Sequence, residues 1–183
     1  MQPGAQPYSK RDWIYAGLAH PPGVLAHRRS ATRLAAGSKL ALIGDEHAAG
    51  MAPFLRQLAI DSGVGFRVEA ETGACLERWQ DRFAALLESK PTMVLVSLGS
   101  CSPMADVLPL LRRMLAAAQR AGTRLVWVRP PEEKAAKSFR VLLRAARIPS
   151  FHSEAIALPC PIAGKPSARG YAGWAGALWR WLS

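Results

Sequence analysis

Asp45, Glu46 and His47 stand together just after a short apolar run, Leu40–Ile43, that Gly44 cuts off. A carboxylate beside an imidazole is a minimal set for moving a proton near neutral pH, because histidine titrates there and a carboxylate can fix its tautomer. Cys75, Cys101 and Cys160 each follow a segment with strand character. On one rim with His47 they would open two further chemistries, a thiolate nucleophile with a histidine base or a zinc site. Neither has its spacing signature. No Cys-x-x-Cys pair occurs, and no cysteine and histidine stand at a spacing that marks a nucleophile and its base. Lone thiols and imidazoles more often serve packing, so no metal and no cofactor are expected. His47 and Cys101 are the residues on which an alternative chemistry would rest.

The elements that must position these groups can be read from periodicity. Leu40–Ile43, stopped by Gly44-Asp45 and followed by small residues and helix formers, predicts a buried strand turning sharply into a helix. In open parallel sheets ligands bind past the carboxyl ends of the strands, where a helix N-terminus exposes backbone N–H groups. Gly44–His47 stands at such a place. The spacing of Met51, Leu55 and Leu58 predicts a helix over 48–60, closed by Asp61-Ser62-Gly63. A strand is expected over 65–70, then Glu71-Thr72-Gly73, then a helix over 76–88 with Trp79, Phe83, Leu86 and Leu87 inward. Thr92–Leu98 is a continuous apolar and β-branched run, the mark of a strand buried on both faces. A helix over 106–120 ends at Gly122, a strand follows over 123–128, and Pro130-Pro131 open a helix over 132–147. Residues 148–156 supply a short fifth strand or extended segment, 158–166 a proline-rich loop, and 167–182 a Trp-rich last helix with a serine cap. This alternation predicts an α/β fold, a three-layer αβα sandwich on a five-stranded parallel sheet.

The chain of 183 residues, 50% hydrophobic and 20% charged, suits one compact domain with an arm. Residues 39–183 form the domain and residues 1–38 a basic arm with Pro3, Pro7, Pro21 and Pro22. Trp13, Ile14 and Tyr15 are the arm's expected anchor on a partner protein or a second copy of the chain. No apolar run approaches the length of a membrane span, and the N-terminus lacks the pattern of a secretory signal. Three cysteines without a disulfide framework point to reduced thiols in a cytoplasmic setting. The net charge of +11 permits a nucleic-acid partner. That partner is disfavoured, because the basic residues look spread through the helices without interleaved aromatics.

The motif residues, in order and spacing, resemble the SGNH (GDSL-type) hydrolases. Their first strand ends in Gly-Asp-Ser, with serine as the nucleophile; here the residues are Gly44, Asp45 and Glu46. Thr72-Gly73-Ala74 stands where the family places an oxyanion-hole glycine, and Gly73 matches it. The family's Gly-x-Asn-Asp corresponds to Gly99-Ser100-Cys101-Ser102, so Cys101 replaces an asparagine donor. Pro166-Ser167-Ala168-Arg169-Gly170-Tyr171-Ala172-Gly173-Trp174 is similar to the family's Pro-Thr-x-x-Gly-Tyr-x-x-Trp helix start. Counting back to the Asp-x-x-His that precedes it gives Ile162 for the acid and Lys165 for the base.

The resemblance implies a flavodoxin-like sheet of strand order 2-1-3-4-5, with nucleophile, base and orienter all replaced. It therefore implies a pseudoenzyme, and with catalysis lost the role expected is structural or binding; the basic arm with its Trp13-Ile14-Tyr15 patch points to a subunit of a larger assembly such as a virus particle or bacterial complex. A hydrolase or a carbohydrate or lipid binder with a remodelled site on the same cleft is the alternative. Glu46 and Lys165 replace two groups that meet in the family, so they are expected to face each other as an ion pair.

Overall fold

The structure, a computed structural model, describes residues 34–98, 107–130, 133–156 and 166–183, with the side chains of 133–136 and 138 left aside. Residues 1–33 of the arm, with Trp13 and Tyr15, and Cys101, Cys160, Ile162 and Lys165 lie outside the described residues. Five strands run in chain order: β1 (Lys39–Gly44), β2 (Gly65–Ala70), β3 (Met93–Ser97), β4 (Arg124–Val128) and β5 (Ser150–Phe151). The helices are α1 (Glu46–Asp61), α2 (Trp79–Glu88), α3 (Val107–Arg120), α4 (Glu133–Ala145) and α5 (Ala168–Leu182). All pairings are parallel and the strand order is β2-β1-β3-β4-β5, as expected.

Side-chain alternation divides the core into two layers. Leu40 and Leu42 of β1, Met93 and Leu95 of β3, and Val126 and Val128 of β4 pack beneath α1 and α5. Ala41 and Ile43, Val94 and Val96, and Leu125 and Trp127 face the opposite way, toward α2, α3 and α4. A strand covered on both faces must be apolar at every position, and β3 is buried throughout. β2, at the edge, alternates partly exposed residues, and Arg67 pairs with Glu69 along it. The last helix starts from the predicted cap, with the Ser167 hydroxyl accepting from the Gly170 N–H at 3.1 Å. Trp174 and Trp179 are buried in its packed face, and Trp181 sits half-buried against Phe151. No helix among the described residues is long and apolar enough to cross a membrane.

Arg129 follows β4 and is fully buried. Its Nη2 lies 2.5 Å from Glu154 Oε1. Nε and Nη1 have no acceptor, and Ser153 Oγ nearby is also unsatisfied among the described residues. Burial pushes the guanidinium pKa below its ordinary value, and Glu154 opposes that. Removing one partner of a buried pair leaves the other charge uncompensated, which outweighs the pair's own net worth. Glu154→Ala is therefore expected to lower stability by about 2–4 kcal/mol. Arg129→Met should lose less, because it removes the buried charge itself. Urea denaturation of the two variants measures the difference, and a greater loss in Arg129→Met would contradict this account.

Candidate functional site

The site begins where β1 and β3 come closest. The Asp45 N–H donates to the Ser97 carbonyl at 3.0 Å, and a Cβ built on Gly44 would lie 2.1 Å from that same oxygen. Only glycine fits, and the chain leaves the sheet directly into α1. Asp45 is buried as the helix N-cap, its Oδ1 accepting from the His47 N–H at 3.0 Å. That bond closes the turn and fixes where Glu46 and His47 start.

Glu46 is the first residue of α1, where the helix dipole favours a negative side chain. Its Oε2 accepts a hydrogen bond from the Gly73 N–H at 3.2 Å. Gly73 has φ +71°. Nothing lies within 4 Å of a Cβ built there, so the left-handed backbone and not crowding selects glycine. Two positions on which the resemblance rests thus meet through a carboxylate.

Glu71 holds the turn that presents Gly73, and sequence reasoning gave it no role. Its carboxylate takes Arg78 at 3.0 Å and Arg82 at 2.5 Å, and its N–H donates to the Gly44 carbonyl. The bond to Arg82, then its charge, with help from Arg78, holds this half-buried carboxyl below the usual range. The legible signal was an acid before a Gly turn, with arginines seven and eleven residues on. Trp127 Nε1 donates to the Leu98 carbonyl at 3.0 Å and fixes the chain end of β3.

His47 does not join Glu46. Successive helix residues point about 100° apart, and His47 is buried between α1 and α5. Its Nδ1 lies 3.3 Å from Tyr171 Oη, and its ring centroid is 5.5 Å from that of Trp174. Tyr171 and Trp174 stack at 6.1 Å. Among the described residues the imidazole is held by packing against Trp174 and by the polar contact with Tyr171. Cys75 corrects an expectation, since it is disulfide-bonded and not a reduced thiol. Spacing along the chain carries no signal for such a pairing, and its partner lies outside the described residues. Cys75 Sγ is 3.8 Å from the Gly73 carbonyl oxygen. A disulfide sulfur has no proton to donate, so that approach is a contact only. No cluster of three His, Cys, Asp or Glu able to hold a metal occurs among the described residues.

No family model and no curated protein matches the chain. Solved structures do. A catalytic mutant of an acetylxylan esterase from Geobacillus stearothermophilus aligns at TM-score 0.60 and 14% identity, over 82% of this chain and 96% of that one. A protein assigned as a GDSL-like lipase from Parabacteroides merdae aligns at TM-score 0.59 and 11% identity, over 82% and 98%. Another, from Bacteroides uniformis, aligns at TM-score 0.54 and 15% identity, over 78% and 94%. At such identities the likeness is one of fold.

The packing around His47 gives a stability test. A Cβ on Gly50 would come within 2.3 Å of the Tyr171 ring. Alanine gains about 1 kcal/mol of helix propensity over glycine, but overpacking costs about 1–3 kcal/mol where the neighbour cannot move. Tyr171, stacked on Trp174 and placed against His47, is such a neighbour. Gly50→Ala should therefore lose about 1–2 kcal/mol net, and Tyr171→Ala in the same chain should relieve the clash. Denaturant midpoints of both singles and the double would refute this if the effects added.

Proposed function

We propose that this chain is a non-catalytic SGNH-hydrolase-fold protein, a pseudoenzyme with a structural or binding role. The observation that carries the reading is the Glu46 carboxylate on the Gly73 N–H. An ester-cleaving site needs that donor for the oxygen that becomes negative in the transition state. Here a resident carboxylate uses it and repels a second anion. A carboxylate also supplies no hydroxyl to be deprotonated by a histidine. At the sequence level Cys101, Ile162 and Lys165 complete the loss of donor, acid and base.

The parent chain should hydrolyse no model acetyl ester above background, and serine-directed probes should not label it. The combined variant Glu46→Ser, Cys101→Asn, Ile162→Asp, Lys165→His should gain hydrolysis by about 10²-fold or more, a small part of what a complete triad supplies. Turnover by the parent that Glu46→Gln abolishes would overturn the reading in favour of a remodelled hydrolase.

The positive role falls to the arm, which is rich in proline and basic charge and carries Trp13 and Tyr15. A virus particle or bacterial complex is the kind of assembly such an arm would serve. The domain itself takes hold of the chain at Leu34, whose N–H donates to the Leu182 carbonyl at 3.0 Å, and Gly37 bonds Gly63 at 2.8 Å. A truncation that tests the arm therefore removes residues 1–33. The truncated chain should keep its circular dichroism and sediment as a monomer, while the full chain sediments as an oligomer. Equal sedimentation of the two would remove the arm from the proposal. It would favour the second reading, a carbohydrate or lipid binder at the cleft, for which the retained Gly73 turn speaks.

A further inference from the structure

The net charge is not spread over the fold. Residues 39–90, which build β1, α1, β2 and α2, hold six Lys and Arg against eight Asp and Glu. Residues 107–151, which build α3, β4, α4 and β5, hold ten against two, eight of the eleven net charges. The arginines of the two halves are also partnered differently, apart from the buried Arg129, which pairs with Glu154, and Arg56, which lies over the Phe66 ring. Arg67, Arg78 and Arg82 of the acidic half are all in ion pairs. Arg112, Arg113, Arg120, Arg140, Arg144 and Arg147 are exposed, and none is in an ion pair among the described residues.

The fold gathers these cations on one side. α3 and α4 cover the same face of the sheet. Both return from the carboxyl to the amino end of a parallel sheet, so they run side by side in one direction. Arg113 and Arg120 are two turns apart on α3, about 10 Å along the axis, and Arg140 and Arg144 one turn apart on α4, about 6 Å. A shallow hollow of about 570 Å³ opens beside Arg140, Val141, Arg144 and Ala145. Guanidinium groups spaced about 6–10 Å apart on rigid helices, with no ion pair among the described residues, suit successive phosphates, whose oxygens each can bind in a fork.

We propose that the α3–α4 face is a docking surface for double-stranded nucleic acid, bound through its phosphates and without base readout. Three observations choose this occupant. Protein partners anchor through buried aromatics, and among the described side chains of these two helices only Val141 is large, apolar and exposed. A membrane-surface helix needs a broad apolar face turned outward, whereas the apolar faces of α3 and α4 are spent on the core. Single strands are held by stacking on exposed aromatic rings, and α3 carries none. What α3 and α4 offer is exposed positive charge, Arg113 and Arg120 beside a groove shared with Gln80 and Phe83 of α2 and Arg140 and Arg144 beside the hollow on α4, and contacts of that kind to phosphates carry no sequence information.

Fluorescence anisotropy of a labelled 30-base-pair duplex of mixed sequence, titrated with the full chain between 50 and 300 mM salt, tests this. Binding should weaken with a log–log slope of about −4, as for four or five neutralised phosphates. Arg113→Glu, Arg120→Glu, Arg140→Glu and Arg144→Glu together should weaken binding about 100-fold or more and flatten the slope. A control with the same change in net charge, Lys39→Glu, Lys90→Glu, Arg169→Glu and Arg180→Glu, should stay within about threefold of the parent. Circular dichroism of both variants confirms that they fold. Equal losses in the two would reduce the effect to net charge, and an unaffected face variant would assign binding elsewhere. A parent that ignores the duplex but binds vesicles of anionic lipid would also overturn the proposal.

Discussion

The site exists because β1 and β3 are too close at one point for a side chain. A methyl on Gly44 would sit 2.1 Å from the Ser97 carbonyl and 2.8 Å from Ala48 Cβ. The chain must therefore cross that point as glycine and leave the sheet at once. Asp45 takes the cap that this exit provides, and the first helical residue is delivered against the turn after β2. The position of Glu46 follows from this backbone constraint more than from any contact of its own. A larger residue at Gly44 would force β1 and β3 apart and move the site with them.

Much of this was open to sequence reading, because the informative signals are local. The apolar runs, the Gly-Asp stop, the Ser167 cap and the alternation of elements are each fixed by a few neighbouring residues, and the strand order followed from the resemblance they support. Boundaries shifted slightly where the signal was weak: β5 has only Ser150 and Phe151, and a 3-10 turn at Ser153–Ala155 takes over the rest of the expected extended segment. Partnerships across the chain were less legible. The Glu71 bonds to two arginines, the burial of His47 against α5, the burial of Arg129 with Glu154 and the disulfide at Cys75 all depend on which loops meet at a rim. Hydrophobic period says nothing about that.

Charge illustrates the same limit. Along the chain the arginines look evenly sown, since every helix has some. In three dimensions α1 and α5 occupy one face and α2, α3 and α4 the other, and the acids stay with the first half of the sheet. Helices are coloured by their sequence but assembled by topology. An electrostatic surface is thus a property of the strand order as much as of composition.

Glutamate at position 46 suits the turn on which it stands. It places negative charge where the N-terminus of α1 favours it, and it accepts from the Gly73 N–H, so the turn after β1 is tied to the turn after β2. Glu71, clamped by Arg78 and Arg82, keeps that second turn in register. Each turn is thus held by a carboxylate, and the two remain joined across the Glu46–Gly73 bond.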